Sequence, residues 1–200
     1  MTVDSTHIEA TEFDVVAGVI ASRRTSLLMD RERQVPHAMI ESLCELAAWA
    51  PCHKRTWPWV FAAFTGDARQ RLGDAAGDAL AELGAEQAKI DKARTKYLRA
   101  PAMLVVGARH GDSEVRTAEN RDAVAAAVQN LLLAATAAGL ASYWSSCPAG
   151  AEAAVAEVCG FQQPVTIVAV VYLGWPTTPC VVPERPPVEL TWVSDTARGV

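Results

Sequence analysis

Runs of apolar residues, separated by polar and glycine-containing turns, divide the chain into candidate helices and strands. Residues 13–21 are apolar at helical spacing, and residues 36–48 open on a proline and repeat apolar side chains at positions i, i+3, i+4 and i+7. Both patterns predict a helix. Residues 59–65, 102–108 and 165–173 are short apolar runs, the last rich in β-branched side chains, and they predict strands.

Two longer stretches between these strands predict further helices. Residues 68–96 are rich in charge and are interrupted by glycines, so we expect a helical region on the surface. Residues 114–139 end at a glycine and contain the run AVAAAVQNLLLAATAAGLA, which is apolar on nearly every side. A helix of that kind is usually buried all round, and in a chain of 200 residues this indicates a second subunit.

The order of the elements predicts the fold class. Residues 142–145 add a short strand or a turn, and residues 151–158 add a short helix. The alternation favours an α+β fold with a mixed sheet packed between helices. Residues 1–12 predict a loose N-terminal tail. Residues 177–200 contain several prolines, which disfavour a helix or a central strand and predict an extended arm. We therefore expect one domain over residues 1–200, with a tail and an arm.

Composition narrows the classes of function. The chain has a net charge of −5, which disfavours the basic face that nucleic-acid binding needs. The five cysteines form no CxxC or CxxH pair, which predicts reduced thiols in a cytoplasm rather than disulfides or a metal site. Gln129 and Asn130 interrupt the longest apolar run, so we expect no membrane span. The chain also lacks the GxGxxG and GxxxxGK[ST] turns that cradle nucleotide phosphates.

Three segments combine side chains suited to a ligand. SRRTS (22–26) follows the first helix, and its guanidiniums and hydroxyls suit a phosphate; alternatively, the arginines offset the helix dipole. APCHKRTWPW (50–59) joins cations to flat apolar rings, which suits a planar electron-accepting ring; alternatively, it is a turn with core tryptophans and exposed cations. GLASYWSS (139–146) offers backbone donors and hydroxyls; alternatively, it is an ordinary turn around a core tryptophan.

No nucleophile motif accompanies these segments, which favours chemistry carried by a cofactor. Together and in this order, the segments resemble the FMN-dependent nitroreductases, especially their minimal subgroup. Arg23-Arg24-Thr25 stands where the family has Arg-Arg-Ser. APCHK followed by PWVF matches the subgroup pattern Ala-Pro-x-His-Lys with a later Pro-Trp, and VAVVYLGWP matches the terminal strand. The resemblance covers residues 13–176.

The resemblance implies an intertwined homodimer with two FMN sites at the interface. NAD(P)H would be the co-substrate, and a nitroaromatic, a quinone or a similar small molecule the acceptor. By position, Arg23, Arg24 and Thr25 would hold FMN from one subunit. The resemblance places the remaining contacts on the other subunit's Trp49, His53 and Lys54 and on the turn residues Trp144, Ser145 and Ser146.

Two positions depart from the subgroup pattern. Ser145 stands where the subgroup often has an arginine, and Trp49 stands where some relatives carry a cation. The expected function is hydride transfer from NAD(P)H through FMN to a small acceptor. The alternatives are a flavin-binding or storage protein, a vestigial member without turnover, and an enzyme on the same fold for dehalogenation or flavin breakdown.

Overall fold

The computed structural model describes residues 11–162 and 164–193. These residues form six α-helices, four strands and two short 3-10 turns, at His53–Arg55 and Tyr97–Arg99. The helices and strands are, in chain order, α1 (Glu12–Ser22), α2 (His37–Ala47), β1 (Trp59–Thr65), α3 (Ala68–Glu82), α4 (Gln87–Lys96), β2 (Ala102–Arg109), α5 (Glu114–Ala137), β3 (Ala141–Ser145), α6 (Glu152–Val158) and β4 (Val165–Gly174).

The four strands form one sheet in the order β1-β2-β4-β3, in which each neighbouring pair is antiparallel. The segment after α1 adds a parallel bridge from Thr25 to Ser142 at the β3 edge. β2 and β4 are central, and burial on both faces explains why their sequences are nearly continuous apolar runs. The strand predicted over 59–65 is confirmed residue for residue, and each of the other three has one residue more than predicted.

Helices cover both faces of the sheet, so that there are two hydrophobic cores. One core joins α2 and α5 to the face that carries Leu104 and Val106 of β2. The other joins α3, α4 and α6 to the opposite face, which carries Met103 and Val105. Alternate residues of one strand point to opposite faces, which is how β2 supplies both cores. The predicted sheet between helices is therefore confirmed.

The charged helical region predicted over residues 68–96 is two helices rather than one. Gly84 adopts a left-handed conformation with φ +68° and turns the chain between α3 and α4. Gly73 and Gly77 lie within α3 and are buried, where α4 crosses it. A side chain at Gly73 would overlap the backbone carbonyl of Arg94, so these glycines allow close helix packing.

The long helix α5 packs on the sheet along one side only. Ser113 caps its start by accepting a hydrogen bond from the amide of Arg116, and Gly139, at φ +77°, follows its end. Val124, Val128 and other side chains of this helix are buried in the first core. Gln129 on the outer side is exposed. The helix is thus not buried all round within one chain. No helix in the described residues is long and apolar enough to cross a membrane.

Two segments expose apolar side chains to an unusual extent. Helix α1 begins with a capping box at Thr11 and has no buried residue, and Phe13 at its start is 78% exposed. Residues 177–193 contain no helix or strand and expose several large apolar side chains, among them Trp192. Apolar surfaces of this extent usually mark an interaction site. The first ten residues of the predicted tail and the last seven of the predicted arm lie outside the described residues.

Candidate functional site

The arginine pair after α1 is held beside the β3 edge of the sheet. The amide of Arg23 donates to the carbonyl of Val19 and closes the helix. Thr25 then bridges Ser142, and the amide of Ser26 donates to the carbonyl of Ser142 at 3.0 Å. These backbone hydrogen bonds fix the positions from which the side chains of Arg23 and Arg24 extend.

Only some of the hydrogen-bond donors of the Arg24 guanidinium have partners in the described residues. Its NH1 donates to the carbonyls of Ala21 and Arg23 at 2.6 and 2.8 Å. Arg24 therefore also interacts with the end of α1, which agrees with the alternative that the arginines offset the helix dipole. Its buried Nε has no hydrogen-bond partner among the described residues, and neither has the buried Oγ of Ser142. Buried donors are nearly always paired, so an orphaned guanidinium nitrogen indicates a missing acceptor.

Two neighbouring cavities of about 580 and 590 Å³ open between the arginine segment and the start of the arm. Both volumes lie in the range of small-molecule sites. Arg24 borders both, and Arg23 and Thr25 border the second. Arg185 of the arm also borders the second cavity. The sequence analysis missed Arg185, although it is the single cation between residues 177 and 193.

The predicted turn residues lie on β3, the strand that Thr25 accompanies. Trp144 is 37% exposed, and its Nε1 donates to the carbonyl of Val168 at 3.3 Å. The alternative of a core tryptophan is therefore wrong. Ser145 is half-buried and pairs with Val170, and Ser146 follows it at the end of the strand. We call Arg23, Arg24, Thr25, Trp144, Ser145 and Ser146 the arginine group.

The loop before β1 is conformationally strained. Lys54, Arg55 and Trp57 adopt positive φ angles of 56°, 54° and 46°, which are uncommon for residues other than glycine. Such outliers persist only where the surroundings hold them, and they cluster at functional sites. Here the hydroxyl of Thr56 donates to Oδ1 of the buried Asn120 at 2.6 Å and ties the loop to α5.

Within this loop, His53 contacts an ion pair on α5. Its Nδ1 lies 2.9 Å from Oε1 of Glu119, and NH1 of Arg116 lies 2.7 Å from Oε2 of the same carboxylate. The hydrogen bond with His53, followed by the charges of Arg116, His53 and Lys54, lowers the pKa of Glu119. Glu119 was not among the site residues predicted from the sequence, although Arg116 is followed by Glu119 and Asn120 at spacings of three and four, which places them on one helix face.

The tryptophans of this region are mostly exposed. Trp49, just before the loop, is 84% exposed, and Trp57 is 53% exposed. Trp57 meets Trp59 edge to face at 5.7 Å between ring centroids, and Trp59 alone packs against the first core. The alternative that the loop tryptophans fill the core is therefore wrong for Trp57. We call Trp49, His53 and Lys54 the histidine group.

The two groups lie at opposite ends of α5. Glu119, which contacts His53, is near the start of this helix, and Thr136, which borders the first cavity with Arg24, is near its end. At about 1.5 Å per residue, they are about 26 Å apart along the helix. One small ligand therefore cannot touch both groups of a single chain.

The sequence profile of the nitroreductase family matches residues 20–175, a span that contains both groups and the whole sheet. The chain belongs to the nitroreductase family. As a family member it is best described as an oxidoreductase.

Two similar proteins carry the name NAD(P)H nitroreductase. YdjA of Escherichia coli (strain K12) is 29% identical over 138 residues, which cover 68% of this nitroreductase-family chain and 75% of YdjA. YfhC of Bacillus subtilis (strain 168) is 27% identical over 180 residues, which cover 88% of this chain and 92% of YfhC. In each comparison the matched region thus spans most of this chain and most of the relative.

Two crystal structures of similar proteins share the fold. A nitroreductase-like family protein from Bacillus cereus superposes with a TM-score of 0.76 at 24% identity and covers 92% of this chain and 99% of its own. The FMN-dependent nitroreductase NfnB from Mycobacterium smegmatis, in complex with NADPH, superposes with a TM-score of 0.70 at 22% identity, over 92% and 100%. These structures confirm the predicted α+β fold.

Proposed function

We propose that this nitroreductase-family protein is a homodimeric, FMN-dependent NAD(P)H oxidoreductase that reduces a small oxidised acceptor. The observation that carries the proposal is the placement of two ligand-binding groups at opposite ends of α5. Each group offers only part of a flavin site: guanidiniums, hydroxyls and one tryptophan ring in the arginine group, and a second tryptophan ring, a histidine and a lysine in the histidine group. A flavin would be enclosed only where the arginine group of one subunit meets the histidine group of its partner.

The arginine group fits the phosphate of FMN. Its orphaned Arg24 Nε is a buried donor that a phosphate oxygen would satisfy, and guanidinium–phosphate contacts are among the strongest hydrogen bonds. Arg23 and Arg185 border the same cavity. We propose that Arg185 supplies the cation that Ser145 lacks. The hydroxyl of Thr25, which borders the same cavity, is a further donor. The hydroxyls of Ser145 and Ser146 lie at the end of β3 and just after it.

The exposed apolar surfaces support the second subunit. Phe13 and Ile20 of α1 are more than half exposed, as are Val188 and Trp192 of the arm. In a monomer these segments would leave a large apolar surface in water. A partner that covers them would also bring its own loop 50–58 to the arginine group. The dimer and the completed site are therefore one proposal.

In this proposal, FMN supplies the hydride chemistry when it is bound. Trp49, Trp57 and Trp144 offer flat apolar surface that would orient a planar ring and keep water from it. Lys54 and Arg55 offer positive potential where negative charge develops during reduction. The side chains position and stabilise; none acts as a nucleophile.

The test is the behaviour of the purified protein. We expect a yellow protein that NADPH or NADH bleaches without oxygen and that a quinone or nitroaromatic restores, with light scattering at micromolar concentration giving twice the chain mass. Bound flavin that neither nucleotide bleaches would favour the storage alternative. A colourless protein that takes up no FMN, or a monomer, would contradict the proposal.

A further inference from the structure

His53 is held with one ring nitrogen occupied and the other unoccupied. Its Nδ1 lies 2.9 Å from Oε1 of Glu119, whose lowered pKa keeps it an ionised, acceptor-only carboxylate at neutral pH. This contact requires a proton on Nδ1. Nε2 has no hydrogen-bond partner in the part of the chain that the structure describes, and the side chain is 59% exposed. Nε2 is therefore available to a ligand.

Arg116 and Lys54 complete the electrostatic surroundings of the imidazole. NH1 of Arg116 donates to Oε2 of Glu119 at 2.7 Å and lies 3.3 Å from Nδ1 of His53. With the proton on Nδ1, that second distance is a close contact rather than a hydrogen bond. Arg116 thus anchors the carboxylate while its charge opposes protonation of the ring, as does the charge of neighbouring Lys54. Among the charged groups that face the ring in the described residues, Glu119 alone favours the imidazolium.

The backbone around His53 is fixed independently of this contact. The hydroxyl of Thr56 bonds to Asn120, whose Nδ2 donates to the carbonyl of Arg109 at 2.9 Å. Lys54 and Arg55 hold left-handed conformations. On this constrained loop the carboxylate holds the Nδ1–H side of the ring, so that any proton gained or lost by His53 is exchanged at the unoccupied Nε2; when Nε2 is protonated, it is placed to act as a general acid.

We propose that His53 donates the proton that completes reduction of the acceptor, and that Glu119 is its positioning residue. This inference rests on the proposed function. It specifies the acceptor class as molecules that end as a protonated oxygen, such as quinones. A quinone that receives a hydride gains two electrons and one hydrogen and becomes an anion. The proton donor is the imidazolium form of His53, which carries a proton on both nitrogens. Its Nε2–H bond breaks as the O–H bond forms, the neutral Nδ1–H form remains beside Glu119, and Nε2 takes up a new proton from water before the next turnover.

The tautomer can be measured in the ligand-free protein by nitrogen-15 NMR, assigned with His53→Asn. We expect the neutral Nδ1–H form in the wild type. Glu119→Ala should convert it largely to the Nε2–H form that predominates in free histidine, whereas Glu157→Ala, an exposed carboxylate on α6, should change nothing. A wild-type Nε2–H tautomer, or no effect of Glu119→Ala, would overturn the proposal without any reference to flavin.

Rapid mixing tests the proton transfer itself. We expect oxidation of the pre-reduced wild type by a quinone to slow as pH rises, because less of the proton-donating form of His53 is then present. In Glu119→Gln the midpoint should move to lower pH, and in His53→Asn the rate at low pH should fall about 10²-fold or more and lose its pH dependence. Reduction by NADPH delivers only a hydride and should keep its pH profile in Glu119→Gln.

The outcomes separate the two proposals. A protein that binds no flavin, or whose flavin NAD(P)H cannot reduce, overturns the proposed function and this inference together. Flavin that is bound and reduced normally, but re-oxidised with the same pH midpoint in the wild type and Glu119→Gln, overturns this inference alone. An equal loss of both half-reactions in Glu119→Gln would assign Glu119 a merely structural role and would also overturn it.

Discussion

Thr56 and Asn120 join the strained loop to the long helix through a 2.6 Å hydrogen bond between their side chains. Asn120 is 4% exposed, and its amide nitrogen donates onward to the carbonyl of Arg109, at the end of β2. One buried amide therefore connects the loop, α5 and the central sheet. The position of His53 depends on this connection as well as on Glu119.

Replacing Asn120 by alanine should destabilise the fold and loosen the loop. The change removes two hydrogen bonds of the buried amide, to the hydroxyl of Thr56, which keeps only its contact with Sγ of Cys52, and to the carbonyl of Arg109, at a cost of about 1–3 kcal/mol in the free energy of unfolding. Urea unfolding measures this cost. Gln87→Ala is the matched control, because Gln87 bonds Asp91 on an exposed helix surface and its loss should cost less than about 0.5 kcal/mol. Equal costs would contradict the role of Asn120.

Arg23→Ala and Arg24→Ala should each weaken FMN binding by about tenfold to a hundredfold, the equivalent of roughly 1.5–3 kcal/mol for a charge-assisted contact. Arg185→Ala should have an effect of the same kind. Fluorescence titration with FMN and with riboflavin separates the phosphate from the ring. If a variant loses affinity for both ligands equally, its arginine does not contact the phosphate.

A mixed dimer tests whether each flavin site is shared between subunits. One subunit carries His53→Ala and the other carries Arg23→Ala with Arg24→Ala. If the arginine group of one subunit meets the histidine group of the other, one site holds every lesion and its twin holds none. About half of the flavin should then bind with wild-type affinity. Two weakened sites would mean that both groups of the same subunit serve one flavin.

Gly73→Ala should destabilise the protein more than Gly77→Ala. The new methyl group at position 73 meets the backbone carbonyl of Arg94, which cannot move without shifting α4, and overpacking of this kind costs about 1–3 kcal/mol. At position 77 it meets the Arg94 side chain, which can rotate away at the expense of an exposed ion pair with Asp78. Thermal unfolding of both variants provides the comparison, and the reverse order would contradict it.

The protein should lose stability at alkaline pH partly through two thiols. Burial raises the pKa of Cys147 and of Cys159 from 9.0 to about 12. The unfolded chain therefore ionises first, so the stabilisation that these thiols provide is complete below pH 9 and declines as pH rises toward 12. Urea midpoints under reducing conditions should fall from pH 8 to 10.5. The fall should be shallower in the Cys147→Ala, Cys159→Ala double variant, and an unchanged fall would contradict this origin.

Local sequence determined most of the fold. The β-branched run of β4 and the apolar runs of β1 and β2 predicted strands because a pleated, buried surface selects those side chains. Pro36 and Gly139 marked a helix start and a helix stop, since the fixed φ of proline suits the start of a helix and glycine readily adopts the left-handed conformation that ends one. The division of the charged region into α3 and α4 was missed because a glycine inside a helix and a glycine between helices read alike in sequence. The tertiary structure distinguishes the two kinds of glycine: Gly73 packs against the backbone of Arg94 on α4, whereas Gly84 takes a positive φ and turns the chain.

The candidate site divides in the same way. Arg23, Arg24, His53 and the β3 residues could be named in advance because their motifs are local in sequence. The pairing of His53 with Glu119, the approach of Arg185 to Arg23 and the distance between the two groups depend on contacts between residues far apart along the chain. Such contacts are set by how the helices and the arm pack on the sheet. The sequence thus determined which side chains are available for binding, and the tertiary structure alone decided which of them meet.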